Sequence, residues 1–208
     1  DSYVLYENDE VWMSVNPMEI ATSRKAISNA SGNVLVLGCG LGYVPYMMSL
    51  KENVEKITII EQSDEVIQIF KEVILPEFHT NKIEIIKADA FTYLDAAAEK
   101  YDYVYADVWQ DNVDGLEDYK IFVKYEDKFP NTKFDYWLEN SLLDSVIVNI
   151  YQYFSAKLGT EDYQRFFATV SPDLWNALEK MEDSIDRPDQ MSYYLTRSFA
   201  KKVLKSIS

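Results

Sequence analysis

Three glycines, Gly38, Gly40 and Gly42, alternate with other residues directly after the apolar run Val34-Leu35-Val36-Leu37 and before a segment with helical character. Glycine adopts positive φ at no steric cost and has no Cβ to hold a ligand away, so bare backbone can approach a bound molecule closely. The end of a buried strand is also where an open α/β sheet binds a nucleotide-like ligand. The spacing narrows the choice. A dinucleotide fold uses G-x-G-x-x-G, whose third small residue lets the helix pack on the strand with its N-terminus facing a pyrophosphate. Here position 43 is Tyr and the spacing is G-x-G-x-G, which argues for a ligand without pyrophosphate. No Gly-Lys-Ser/Thr follows, so a P-loop is excluded.

A second group of reactive side chains spans residues 107 to 118, where Asp107, Asp111, Asp114, Glu117 and Asp118 surround Trp109. The segment reads as an acidic, aromatic-lined mouth that favours a cationic substrate such as an amine, with Trp109 presenting a π face and Asp111 on the substrate side. A solvated loop leading into a helix, capped by Asp114 or Asp118, is the alternative. A calcium loop fails on spacing: with Gly115 at its turn, the ligands would be Gln110, Asn112 and Asp114, and Ile121 would close it where Glu is required. No metal site is expected. The single cysteine, Cys39, reads as a small buried filler and the single histidine, His79, as a surface residue of the Pro76–Lys82 loop.

These residues need elements to position them. Residues 34–37, 57–60, 83–86 and 103–106 are short, continuously apolar runs, the pattern of parallel strands buried on both faces. Helical stretches separate them, the clearest being 63–76, with Ser63 as cap, Val66, Ile67, Phe70 and Ile74 on one face and Pro76 as its stop. Alternation of this kind implies right-handed crossovers and a doubly wound, mostly parallel α/β sheet. Residues 3–15 read as a hairpin turning at Asn8-Asp9, followed by a helix with Pro17 in its first turn. Residues 134–139 are a candidate fifth strand, after which the pattern is helical: 144–154 fit either a strand or a helical face, and 171–185 and 192–207 are amphipathic helices. The expected organisation is a hairpin and helix over 1–32, a Rossmann-like domain over 33–140 and a helical extension over 141–208.

Composition sets outer limits. With 48% hydrophobic residues the chain is expected to fold as a globule, and a formal charge of -15 disfavours nucleic acid as a partner. No uninterrupted apolar stretch is long enough for a membrane span and no secretory signal is seen, so a soluble cytoplasmic protein is expected. The sequence opens at Asp1 rather than at Met, as a trimmed chain or a fragment of a longer protein would.

Taken together, the glycine loop, the acid Glu61 ending the second strand, Lys87-Ala88-Asp89-Ala90-Phe91 and the stretch Tyr101–Asp111 resemble the class I methyltransferase fold that binds S-adenosylmethionine. The hairpin and the acid-rich segment after the fourth strand are similar to its spermidine-synthase-like branch. The resemblance covers roughly residues 34–111. It implies that Gly38, Gly40 and Gly42 approach the amino-acid part and ribose of the cofactor, that Glu61 with its neighbour Gln62 meets the ribose, and that Asp89 and Ala90 meet the adenine. Asp107 would face the reacting centre. The residue types agree, since a carboxylate at a strand end can accept two hydroxyl hydrogen bonds or an exocyclic amine, although such an acid is also a common cap of the next helix. Tyr43, Tyr46 and Met47 either edge the pocket or pack their helix, and Trp12, Met18 and Glu19 lie in the segment that closes over the cofactor in similar folds.

The implied activity is methyl transfer from S-adenosylmethionine to a small polar or cationic acceptor. The loop Gly38–Tyr43 contains no acid, whereas the spermidine-synthase branch normally carries one, so aminopropyl transfer is the alternative. A module that binds the cofactor without turnover and acts as an interaction protein is the third reading. In any of these readings the C-terminal helices would serve as a substrate lid or as a homodimer surface.

Overall fold

The computed structural model describes residues 3–7, 9–97, 100–110, 114–159, 171–181 and 188–207. The chain divides into two compact units, one made of Asp1–Gly115 with Tyr125–Trp137 and the other of Leu116–Lys124 with Leu138–Ser208.

The first unit opens with an antiparallel hairpin, β1 (Tyr3–Glu7) and β2 (Glu10–Val15), turning where Asp9 has a φ of 66°. Helix α1 (Pro17–Asn29) starts as its sequence implies: Asn16 accepts the N–H groups of Met18 and Glu19, and Pro17 fills the first helical position. Its far end is closed by a distant residue. Lys51 Nζ donates to the carbonyls of Ile27, Ser28 and Ala30 at 2.8, 2.6 and 2.5 Å, placing a cation on the negative end of the helix.

Next come β3 (Gly32–Leu37), α2 (Tyr43–Ser49), β4 (Val54–Glu61) and α3 (Asp64–Ile69). They are followed by β5 (Ile83–Lys87), α4 (Ala90–Ala97), β6 (Tyr103–Ala106) and β7 (Lys133–Tyr136). Helix α5 (Gly115–Phe122) and the short α6 (Tyr125–Lys128) lie between β6 and β7 in the chain. The sheet is parallel throughout, in the order β5-β4-β3-β6-β7. Strand order therefore reverses between β3 and β6, and the loops leaving those two strands meet at the switch point where such sheets bind ligands. Val34, Leu35, Val36 and Leu37 are buried, as are Tyr103–Ala106 on β6, so the middle of the sheet is the core.

Three expectations change in detail in the first unit. β5 is an edge strand with Ile83–Ile86 only half-buried, because one side of it has no neighbouring strand. The helix from Ser63 relaxes after Ile69 into a wider π turn over Phe70–Ile74 and then a 3-10 turn over Leu75–Glu77, so Pro76 sits inside the last turn. Its inward face is nevertheless as read, with Ile67 and Phe70 buried and Val66 and Ile74 packed on the core. The fifth strand ends at Tyr136, since Leu138 takes a φ of 55° and a helix begins at Glu139.

In the second unit, α7 (Glu139–Lys157) resolves the ambiguous 144–154 stretch as helix. It buries Leu142, Leu143, Val146, Ile150, Tyr153 and Phe154. Helix α8 (Pro172–Met181) has the expected Ser171 hydroxyl at its start, accepting from Leu174 N–H at 3.3 Å. The last helix, α9 (Arg197–Ser206), begins later than its apolar spacing suggests. A 3-10 segment occupies Pro188–Tyr193, and Thr196 caps α9 by accepting from Phe199 N–H. Arg197 pairs with Asp144 through two 2.7 Å hydrogen bonds, and Glu139 accepts from Tyr119 at 3.0 Å and Lys201 at 2.8 Å. Among the described residues no helix is long and apolar enough to cross a membrane.

Candidate cofactor and substrate site

The glycine loop leaves β3 at the switch point, and each of its glycines has positive φ: 91° at Gly38, 53° at Gly40 and 76° at Gly42. Their surroundings differ. A Cβ on Gly38 would stand 2.1 Å from the carbonyl oxygen of Asp107, so Gly38 is where the backbones leaving β3 and β6 press together. A Cβ on Gly42 would meet the Phe70 ring at 2.8 Å, so Gly42 lets α2 start against α3 and its continuation. Only at Gly40 is the space largely open, with Met13 Sδ the nearest atom at 3.5 Å. Protein packing thus accounts for two of the glycines, and Gly40 offers the bare backbone a ligand would use.

Glu61, the last residue of β4, reaches across to this loop. Its Oε2 accepts the Cys39 N–H at 3.0 Å, while Oε1 accepts Gln62 N–H at 2.8 Å and Ser63 N–H at 2.9 Å. A carboxylate oxygen can accept about two hydrogen bonds, so Oε2 keeps capacity for a hydroxyl while Oε1 is filled. Cys39 is buried, and burial followed by the Glu61 charge pushes its thiol far above the usual range, consistent with a filler rather than a nucleophile. His79 is exposed.

Asp107 follows β6, with its N–H on Leu37 O at 2.9 Å and its half-buried carboxylate accepting from the Tyr105 hydroxyl at 3.4 Å. Desolvation lifts its pKa to about 7, with the Glu19 charge adding to the rise and the Tyr105 hydrogen bond opposing it. Asp89 lies exposed two residues past β5, immediately before α4, and performs the helix-capping role: its Oδ1 accepts both the N–H and the hydroxyl of Thr92 at 2.8 Å, which hold its pKa low.

The family model of the spermine/spermidine synthase domain matches residues 19–158. The chain belongs to that family. A search of curated proteins gives no match. Among solved structures, the spermidine synthase of Thermotoga maritima is 18% identical, covering 53% of this chain and 39% of its own, with a TM-score of 0.42. The SAH-bound methyltransferase PaMTH1 of Podospora anserina is 13% identical, covering 94% of this chain and 68% of its own, with a TM-score of 0.47. This chain therefore spans 39% of the length of the Thermotoga enzyme's chain.

Membership of the spermine/spermidine synthase domain family makes the ligand class S-adenosylmethionine or its decarboxylated form. The chain's own features fit such a group: an open glycine at the switch point, a carboxylate with an acceptor to spare, and an acid at the end of β6. The remaining sequence candidates take varied positions. Gln62 is exposed beside Glu61, and Ala90 is the first residue of α4. Trp109 is buried, its ring so close to Gly115 that a Cβ there would lie 2.6 Å away, which makes it part of the packing at the start of α5. Asp111 lies outside the described residues. Tyr46 stacks on Phe78 with ring centroids 4.4 Å apart, so it packs its helix. Met18 is 71% exposed. Glu19 is the acid whose charge raises the pKa of Asp107. Its only sequence signal is its place in the first turn of a capped helix just after the hairpin.

Proposed function

We propose that this chain is an S-adenosylmethionine-dependent methyltransferase acting on a small polar or cationic acceptor. In this reading Gly38, Gly40 and Gly42 lie along the cofactor's amino-acid part and ribose. Glu61 with Gln62 takes the ribose hydroxyls, Asp89 and Ala90 meet the adenine, and Asp107 faces the reacting centre with Asp111 toward the substrate. When bound, the sulfonium group supplies an alkyl carbon activated by its positive sulfur. Asp107 would hold the acceptor nitrogen in line and take its proton, which leaves the nitrogen lone pair available for alkylation.

The observation that carries this reading is Asp107 itself. A carboxyl group with a pKa of about 7 stands at the end of β6, next to the glycine loop, and that value suits a base working near neutral pH. Family membership favours a second reading, aminopropyl transfer from the decarboxylated cofactor; the acid-free loop Gly38–Tyr43 is the reason for preferring methyl transfer.

Calorimetric titration of the wild type and Glu61→Ala with S-adenosylmethionine, its decarboxylated form and S-adenosylhomocysteine tests the proposal. Micromolar binding weakened at least about tenfold by the substitution is expected, since hydrogen bonds to a charged group are each worth roughly 1.5–3 kcal/mol. Binding followed by methylation of an amine supports methyl transfer, whereas turnover with the decarboxylated form alone supports the second reading. No binding of any of the three overturns both.

A further inference from the structure

Met13 is turned toward the glycine loop by an irregularity in its own strand. Side chains two residues apart on a regular strand point to the same face. Val11 is 59% exposed, so a regular β2 would carry Met13 to the outer face as well. The pairing with β1 slips instead: Leu5 faces Met13, but the next residue, Tyr6, faces Val11. One extra residue, Trp12, is accommodated in β2, and a bulge of this kind re-aims the side chains that follow it. Tyr6 stays outward with Val11, while Met13 is half-buried and its sulfur reaches the open side of Gly40. The corner after it is tied. Asn16 Nδ2 donates to Ser14 Oγ at 2.8 Å and Ser14 Oγ donates to Glu19 Oε1 at 3.0 Å, which fixes the strand end that carries Met13.

Among the described residues, and apart from the chain neighbours of Gly40, only Met13 comes within 4 Å of where a Cβ on that glycine would stand, with Sδ at 3.5 Å and Cε at 3.9 Å. A ligand that uses the bare backbone of Gly40 lies beside that thioether. In the proposed function the glycine loop follows the amino-acid part and the ribose of the nucleoside, and sulfur is the atom that joins those two parts. The donor carries a positive sulfonium there, whereas S-adenosylhomocysteine carries a neutral thioether. A methionine sulfur is polarizable and a weak acceptor, so it attracts a cation in a way that a hydrocarbon side chain of the same size does not. Against a neutral thioether both side chains offer dispersion alone.

We infer that Met13 is a specificity-determining residue whose sulfur faces the sulfonium of the bound donor and favours it over the neutral S-adenosylhomocysteine. The inference rests on the S-adenosyl ligand of the reading above and holds for methyl and aminopropyl transfer alike, because both donors are sulfonium compounds. Loss of the alkyl group removes the charge, so the same residue holds the product less tightly. The bulge at Trp12 and the tie from Ser14 to Glu19 are what turn Met13 inward and keep it there.

The test uses the whole chain and Met13→Leu, a swap close in volume that removes the sulfur. Calorimetry compares S-adenosylmethionine with S-adenosylhomocysteine on both proteins. The substitution is expected to weaken S-adenosylmethionine about fivefold, the scale of a contact between a polarizable group and a cation, and to change S-adenosylhomocysteine by less than about twofold. Equal loss of both nucleosides, as a simple packing role would give, or unchanged binding of both overturns the inference. The same titrations separate the two levels: wild type that binds neither nucleoside sinks the reading beneath, whereas binding with an unchanged ratio in Met13→Leu sinks only the role of Met13. If Met13→Leu does not fold, methyl NMR of wild type isotopically labelled at methionine decides. The Met13 ε-methyl signal, assigned through its proximity to Gly40, is expected to move further with S-adenosylmethionine than with S-adenosylhomocysteine. Equal movement with the two, or none with either, overturns the inference.

Discussion

The Glu61 carboxylate accepts the Cys39 N–H at 3.0 Å, so an acid at the end of β4 clasps the glycine turn at the end of its neighbour β3. The clasp gives Glu61 two tasks, shaping the loop and, in the proposed function, binding ribose. Glu61→Ala removes both. Glu61→Gln keeps one acceptor oxygen but points an NH2 group at backbone N–H donors on its other side. Both substitutions are expected to destabilise the chain by about 1–3 kcal/mol, from one or more buried donors left unpaired. Melting curves measure that loss and calorimetry measures nucleoside affinity. A ligand-only role for Glu61 is excluded if the melting temperature falls, and a loop-only role if affinity falls further than the lost stability explains.

The glycines should separate in the same way. Gly38→Ala drives a methyl group to 2.1 Å from the Asp107 carbonyl, a clash with backbone that no rotamer relieves. Gly40→Ala meets only Met13 at 3.5 Å, so its main cost is a non-glycine residue at positive φ, about 1–2 kcal/mol. Gly38→Ala is expected to unfold the chain or cut expression sharply. Gly40→Ala should fold, with a melting temperature lowered by a few degrees and nucleoside binding weakened more than tenfold. Unimpaired binding by a folded Gly40→Ala would remove the loop from the site.

Much of this arrangement is legible in the chain because its signals are local. Tyr103–Ala106 is read to the residue as a buried strand, since four apolar residues lie between polar neighbours, and Asn16-Pro17 announces α1. Val66, Ile67, Phe70 and Ile74 keep to the core although the helix widens at Phe70, because the apolar stripe survives a small change of pitch. What depends on distant partners is not legible. Lys51 closes α1 from beyond a strand and a helix, and nothing in its own neighbours says so. Trp109 reads as an exposed π face because it sits among acids, yet it is buried against Gly115. Asp89 shows how one residue type serves two purposes: an acid at a strand end suggests adenine, while its carboxylate is already capping α4.

Asp135 provides a stability test away from the glycine loop. It is 4% exposed on β7, where Lys25 pairs with it at 2.8 Å and Asn29 and Tyr103 donate at 2.7 and 2.9 Å. Burial alone would raise its pKa, but the hydrogen bonds from Lys25, Asn29 and Tyr103 outweigh it and hold the value low. A depressed folded pKa contributes stability that is present above the unfolded carboxylate range and is lost as pH falls through the folded value. Asp135→Ala is expected to cost about 1–3 kcal/mol for each buried donor left unpaired. The difference from wild type should be full at neutral pH and shrink in acid. Denaturant titrations from pH 7 down to pH 3 check this; a difference that stays constant would mean that packing, not charge, is what Asp135 contributes.

Asp107 predicts the opposite pH dependence. Its folded pKa is raised to about 7, so the folded chain binds that proton more tightly than the unfolded chain does. The stability linked to it is complete below the unfolded carboxylate value and declines as pH rises toward 7, because the charged form is poorly solvated where it sits. Asp107→Asn removes that charge, so its melting temperature is expected to exceed that of wild type at pH 8 and to approach it near pH 4. Activity should move the other way. A base must be ionised to accept the acceptor's proton, so wild-type kcat/KM rises with pH through about 7, while Asp107→Asn loses roughly 10²–10⁴ in rate and the pH step with it. Melting curves and rate profiles over the same pH range test both halves together. A variant that gains stability above pH 7 yet keeps the wild-type rate profile would leave Asp107 as a poorly solvated acid with no part in the chemistry.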